Sequence, residues 1–107
     1  MPKYMIQANY TAEGFSGLMK DSASGRRNAV SKLVETNGGK LESFYFAFGS
    51  DDVVLIVDLP SNETAAAIAV SVCATGVVRL RTTPLLTVEE VDGALKKRVI
   101  YRAPGMQ

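Results

Sequence analysis

Four segments of the chain have the apolar patterns of β-strands: residues 4–10, 41–48, 53–59 and 77–83. Apolar and polar residues alternate with the strand period of two in three of them, whereas residues 53–57 are apolar throughout, as in a strand buried on both sides. The turn-forming residues Gly49–Asp52 separate the second segment from the third, so the pattern predicts a hairpin there. Pro84 follows the fourth segment and marks the end of that strand or an edge position in the sheet.

A helix with an interruption is predicted between the first and second strands. Thr11 is its expected N-cap, and Lys20–Gly25 breaks the apolar spacing, which resumes at Arg26. Asn37-Gly38-Gly39 supplies the left-handed C-cap that ends it. The break allows two interpretations. Free amide groups at the restart can bind an anion, or the break is an ordinary kink with solvated charges.

A second helix is predicted between the third and fourth strands. Ser61 is its expected N-cap, its body over residues 64–75 is small and apolar, and Gly76 ends it. Beyond the fourth strand, Val88–Leu95 has the spacing of a short helix and Arg98–Arg102 that of a short extended arm.

The predicted order is therefore βαββαβ followed by a tail. Right-handed crossovers put the first and third strands side by side, which gives the strand order 4-1-3-2 with both helices on one face. This is an α+β fold, the ferredoxin-like plait with a four-stranded antiparallel sheet. We expect a ferredoxin-like domain over residues 1–92 and a basic C-terminal tail over residues 93–107, where four cations stand without an acidic residue.

The third strand is apolar on both of its faces, although two helices can cover only one face of the sheet. Leaving Val54 and Ile56 in water forgoes roughly 1.5–3 kcal/mol each of burial free energy. A second copy of the same sheet can cover them. We therefore expect a homodimer or higher homo-oligomer packed sheet to sheet, the dimeric α/β-barrel arrangement. The alternative is that the basic tail folds back over the open face.

Composition excludes several kinds of chemistry. The chain has 107 residues, no His, one Cys and a net charge of +1. Without His there is no imidazole catalysis and no His-ligated metal, and a single Cys forms no intrachain disulfide. The net charge predicts neither a nucleic-acid partner nor a membrane surface. No secretory leader or bilayer-spanning run is visible, so we expect a cytoplasmic protein. We also expect no metal and no cofactor.

Two further expectations concern the core. The stripe of Phe44, Phe46 and Phe48 is expected to pack under the helices rather than stack on bases, because the neighbouring central strand is aliphatic. Cys73, in the apolar second helix, is expected to be a small buried residue.

The open face of the sheet is the predicted ligand site, since it combines an apolar floor with polar groups at its edges. The candidate ligand-binding residues are Gln7, Asn9, Tyr45, Asp58, Arg79 and Arg81. Arg79 and Arg81 lie two apart on one strand and can clamp a carboxylate or phosphate. Alternatively they pair with Asp58 or with acids of a second copy. Asp51 and Asp52 are interpreted as residues that cap the hairpin turn.

Several segments together resemble the GYD family of small bacterial proteins. They are Asn9-Tyr10-Thr11 with Gly14, Lys20-Asp21-Ser22, Gly38-Gly39-Lys40-Leu41, Ser43-Phe44-Tyr45, Gly49-Ser50-Asp51-Asp52-Val53-Val54, and the stretch from Arg79 to Thr83. The resemblance runs from about residue 4 to 90 and implies a ferredoxin-like, dimeric α/β-barrel fold. It departs at the hairpin turn, where Asp51 stands in the place of the family's tyrosine. If that tyrosine lines a pocket in the family, the pocket here is more acidic or the role of the position is lost.

Two classes of function fit these features. The first is a small homo-oligomeric domain that binds a small, anionic molecule in the cavity at the sheet face. The second is a cofactor-free enzyme, an isomerase or monooxygenase of the dimeric α/β-barrel type, in which Asp58, Tyr45 or an arginine moves the proton or stabilises charge. A third interpretation is a structural role in which the basic tail serves assembly alone.

Overall fold

Four strands form one antiparallel sheet in the computed structural model, which describes residues 1–106. The strands are β1 (Lys3–Tyr10), β2 (Lys40–Phe46), β3 (Val53–Asp58) and β4 (Val78–Leu85). Their order across the sheet is β2-β3-β1-β4, and every neighbouring pair is antiparallel. This is the predicted order read from the opposite edge. The sequence therefore predicted the α+β class, the antiparallel sheet and its strand order correctly.

Three helices precede β4 and a fourth follows it. They are α1 (Ala12–Lys20), α2 (Ala23–Thr36), α3 (Asn62–Cys73) and α4 (Val88–Leu95). The predicted N-caps Thr11 and Ser61 are confirmed, since their hydroxyls accept hydrogen bonds from the amides of Gly14 and Thr64. No helix within residues 1–106 combines the length and the apolar character needed to cross a membrane.

The break between α1 and α2 is shorter than the sequence indicates. Ser22 caps α2, and its hydroxyl accepts a hydrogen bond of 2.9 Å from the amide of Gly25. The helix therefore begins at Ala23, three residues before the expected restart at Arg26. Because a side chain of the chain itself already caps this end of the helix, the kink interpretation is favoured over an anion site.

The hydrophobic core lies between the sheet and helices α2 and α3. Its buried members are Tyr4, Ile6, Ala8, Val34, Val53, Leu55, Val57, Leu59, Ala65 and Ile68. In β1 and β3 the buried residues alternate with half-buried ones, as a strand with one covered face requires. Leu59 and Val57 are completely buried.

Two expectations about the core are wrong. Phe44 and Phe46 pack against it, but β2 ends at Phe46 and Phe48 is fully exposed in the following loop. Cys73 is exposed at the last residue of α3. The residues of α3 that are buried, Ala65 and Ile68, define a helix face that does not include it.

The chain beyond β4 leaves the body of the molecule. Helix α4 begins with a capping box, in which Thr87 and Glu90 each accept a hydrogen bond from the other's backbone amide. The hydrogen bonds from Thr87 hold the pKa of the Glu90 carboxyl below its usual value. Although its start is well capped, α4 has no buried residue. Residues 98–102 form neither helix nor strand.

Candidate functional site

Cross-strand pairing arranges the open face of the sheet, the face opposite α1–α3, in rows. One row runs across all four strands and is called the arginine row: Tyr45, Val54, Gln7 and Arg81. The next, the middle row, contains Ser43, Ile56, Met5 and Thr83. A third, the lysine row, is built on the facing pair Lys3 and Asp58. Directly facing side chains have Cβ atoms about 4.5–5.5 Å apart, so each row is a line of touching side chains.

The arginine row is organised by a carboxylate from the β2–β3 loop. Asp51 is only 8% exposed, and it accepts hydrogen bonds from Arg81 Nη2 at 2.5 Å and from Gln7 Nε2 at 2.9 Å. Each carboxylate oxygen therefore has one donor. The side chain of Arg81 remains 62% exposed, so most of its guanidinium faces solvent.

Asn9 and Arg79 continue this end of the open face. They face each other across β1 and β4. Asn9 Nδ2 donates to the backbone carbonyl oxygen of Ser50 at 2.7 Å, which ties β1 to the same loop that carries Asp51. Arg79 is exposed, and in the part of the chain that the structure describes it forms no ion pair or side-chain hydrogen bond.

The lysine row closes the other end of the open face. Lys3 Nζ lies 2.9 Å from Asp58 Oδ1 and 2.6 Å from Glu42 Oε2. A register shift between Leu41 and Ser43 leaves Glu42 as the extra residue of a bulge. Hydrogen bonds to Glu42 and then Asp58 raise the pKa of Lys3 above its usual value. Asp58 is therefore the partner of Lys3, and the expected pairing of Asp58 with Arg79 or Arg81 is wrong.

The middle row separates the arginine row from the lysine row, and its two central residues, Met5 and Ile56, are apolar. Met5, Ile56 and the adjoining Val54 are half-buried although none of the helices α1–α3 lies over them. Tyr45, at the edge strand β2, is 69% exposed. The open face is thus an apolar strip bordered by fixed charges.

The six residues singled out from the sequence fall into two groups. Gln7, Tyr45 and Arg81 share the arginine row, and Asn9 and Arg79 adjoin it. Asp58 pairs with Lys3, which is four residues from Gln7 along β1 and therefore roughly 13 Å away. The structure brings four candidates together on β1 and β4, and it separates Tyr45, three strands away on β2, and Asp58, which pairs with Lys3.

Asp51 is the residue that sequence reasoning did not place in the site. Asp51 and Asp52 were both interpreted as residues that cap the turn, but both carboxylates bond to other strands. Asp52 Oδ2 accepts a 2.9 Å hydrogen bond from the amide of Tyr10, which fixes the loop to β1. The sequence contained one signal for this role of Asp51: it stands at the position of the hairpin turn where the family that the chain resembles has a tyrosine.

The helix side of the sheet contains a cavity that the sequence did not predict. Its volume is about 500 Å³, and it lies between the sheet, α1, α2 and α3. The walls are mainly apolar, with Leu33, Phe44, Val72 and Leu80 among them. We call it the helix-side cavity. Gly14 and Gly17, on the α1 wall, provide no side chain to fill it.

Tyr10 lines the helix-side cavity and packs against Phe15, with ring centroids 5.3 Å apart. Burial raises the pKa of its hydroxyl, and nearby Arg26 partly offsets the increase. The hydroxyl therefore stays protonated at neutral pH and is able to donate a hydrogen bond.

Comparison with known protein families finds a match over most of the chain. The model of the GYD domain matches residues 4–95. The chain belongs to the GYD family. No curated protein and no solved structure matches the chain.

Several residues that carry the GYD resemblance have structural tasks. Gly38 has a φ of +81° at the end of α2, where Gly38 and Gly39 donate their amides to the carbonyl oxygens of Glu35 and Val34. These two bonds form a Schellman motif. A Cβ at Gly39 would overlap the Asp58 carbonyl oxygen. These GYD positions are explained by backbone geometry and not by catalysis.

Proposed function

We propose that this GYD protein is a homodimeric, ferredoxin-like domain that packs sheet to sheet as a dimeric α/β barrel and binds a small anion between the sheets. The observation that carries the proposal is the open face itself. The apolar centre of its middle row, Met5 and Ile56, lies between the ion pairs Arg81–Asp51 and Lys3–Asp58, whose side chains are already oriented. A partner sheet would remove the apolar strip from water and leave the charged rows at the border, which is the usual make-up of an interface.

The ligand class follows from the cations at the arginine row. Asp51 engages one nitrogen of Arg81, and the remaining donors of that guanidinium, together with all those of Arg79, are available. Arginine donors match carboxylate and phosphate oxygens in geometry and charge. Gln7 and Asn9, on the strand beside the arginines, are close enough to add neutral hydrogen bonds, whereas Tyr45 lies on β2, three strand spacings or roughly 14 Å from Arg81. The proposed ligand is therefore a small carboxylate or phosphate compound in the cytoplasm.

Binding is favoured over the alternative of cofactor-free catalysis by the position of Asp58. As the partner of Lys3, it lies away from the arginines and accepts a 2.9 Å hydrogen bond from the Lys3 ammonium group. The open face thus has cations that can hold an anion, and its carboxylates are already engaged, Asp51 by Arg81 and Gln7 and Asp58 by Lys3.

Oligomeric state tests the interface. At micromolar concentration we expect analytical ultracentrifugation to find a dimer for the unmodified chain and a monomer for Ile56→Asp, because a carboxylate buried in the middle row is strongly unfavourable. Val70→Asp is the matched control: Val70 is 70% exposed on α3, on the opposite side of the molecule, and the variant should remain dimeric. A monomeric unmodified chain would contradict the interface.

Thermal shift tests the ligand separately. A panel of phosphate and short-chain carboxylates should include at least one that raises the melting temperature, since a ligand at 100 times its Kd stabilises the folded state by about 2.7 kcal/mol. Arg79→Gln should abolish the shift, whereas Arg27→Gln, an exposed arginine on α2, should retain it. If no anion stabilises the protein, or if both variants respond alike, the ligand proposal is wrong even if the dimer exists.

A further inference from the structure

The chain after β4 extends away from the rest of the molecule. The radius of gyration is 17.4 Å and the principal extents are 61, 31 and 23 Å. A compact domain of about 100 residues has a radius of gyration of about 13 Å. Residues 86–102 are all exposed, so the difference is due to this segment. We call residues 86–106 the C-terminal arm.

The arm carries apolar side chains that its own chain does not cover. Val99, Ile100 and Tyr101 are consecutive and are 80, 91 and 74% exposed. They stand between Lys96-Lys97-Arg98 and Arg102, with no acidic residue among them. A short apolar run with a cation on either side is suited to an apolar cavity whose rim is acidic.

The helix-side cavity has these properties. Its walls are mainly apolar, and its charged lining residues are Glu13, Asp21 and Arg26, two carboxylates against one guanidinium. Its volume of about 500 Å³ is within the range of cavities that hold ligands of several side chains' size. The cavity and residues 96–102 are therefore complementary in both polarity and charge.

We propose that residues 96–102 of one chain dock into the helix-side cavity of a second copy, with Val99, Ile100 and Tyr101 inserted and the flanking cations beside Glu13 and Asp21. The occupant is a second copy because the arm extends away from the body that carries its own cavity. Docking uses the helix side of the partner, so it is independent of the sheet-to-sheet interface and can coexist with it.

Disulfide trapping between two different variants tests this docking. Both carry Cys73→Ser, which removes the single native thiol. One also carries Ser71→Cys, a nearly isosteric change at an exposed residue of the cavity lining, and the other carries Ile100→Cys. The two proteins, one of them isotope-labelled, are mixed, oxidised and analysed by mass spectrometry for the mixed disulfide. Trapping requires the two Cα atoms to approach within about 7 Å.

The matched control replaces Ser71→Cys by Val70→Cys, one residue away on α3 and outside the cavity lining. We expect the mixed disulfide to form several-fold more from Ser71→Cys than from Val70→Cys. Equal yields would overturn the proposal. The second measurement uses a variant that carries both Ser71→Cys and Ile100→Cys. If this variant forms an internal disulfide in the monomer, and the single variants give no mixed disulfide, the arm folds back on its own chain. That result would also overturn the proposal.

Discussion

Gly14→Ala is expected to destabilise the protein by about 3 kcal/mol, the upper part of the usual range for overpacking. Gly14 lies in the first turn of α1 and is buried. A Cβ at this position would overlap the backbone carbonyl oxygen of Val77 and touch the ring of Tyr10. That carbonyl oxygen accepts the amide of Thr11 at 3.1 Å, so it cannot move aside without breaking the bond that joins the start of α1 to the start of β4.

Gly17→Ala is the matched control in the same helix. No atom lies within 4 Å of the added Cβ, so only the helix propensity changes. We expect a stabilisation of up to about 1 kcal/mol. Urea denaturation at equal protein concentration measures both variants. Opposite signs support the close contact at Gly14, and a neutral Gly14→Ala would show that α1 can move away from β4 freely.

The sheet could be predicted from sequence because its signals are local and mutually consistent. Alternation in β1 and the unbroken apolar run in β3 identify strands, and the handedness of the crossovers leaves a single strand order. Thr11 and Ser61 were identifiable as caps because a hydroxyl before an apolar run is suited to the free amides of a helix start.

Other features depend on information that periodicity does not contain. Helix α3 is apolar around most of its circumference, so its sequence does not mark the face that is buried, and Cys73 was assigned to the wrong side. Phe48 continues the alternation of β2, but the loop that places Asp51 and Asp52 against β1 ends the strand earlier. The pairing of Asp51 with Arg81 joins residues thirty positions apart, and only the folded sheet brings them together.

The structure also shows where the apolar residues outside the core lie. With 47% hydrophobic residues, the chain has more than its single core holds. Two places hold much of the surplus, the middle row of the open face and the C-terminal arm, and scattered exposed side chains such as Met19 and Val70 hold the rest. Each place has its own proposed contact with a second copy. The two contacts involve opposite sides of the domain, so a variant that abolishes one leaves the other available for measurement.

Asp51→Asn is expected to lower the free energy of unfolding by about 1–3 kcal/mol, because it replaces a buried charge-assisted pair by an amide that cannot accept from both partners. Both carboxylate oxygens are used, one by Arg81 and one by Gln7. An asparagine presents one oxygen and one NH₂ group, so one of the two donors faces another donor. The effect is smaller than for a fully buried ion pair because the Arg81 side chain is 62% exposed and screened by water.

A double-mutant cycle separates the pair from the burial of Asp51. Arg81→Gln alone should cost less than Asp51→Asn, and the double variant should be more stable than the sum of the single losses by about 0.5–1 kcal/mol. Arg79→Gln is the control, with a change within about 0.5 kcal/mol, since Arg79 has no partner within residues 1–106. If Arg79→Gln and Arg81→Gln lowered the free energy of unfolding equally, the pairing of Asp51 with Arg81 would contribute nothing specific to stability. The arginine row would then not be pre-organised for an anion.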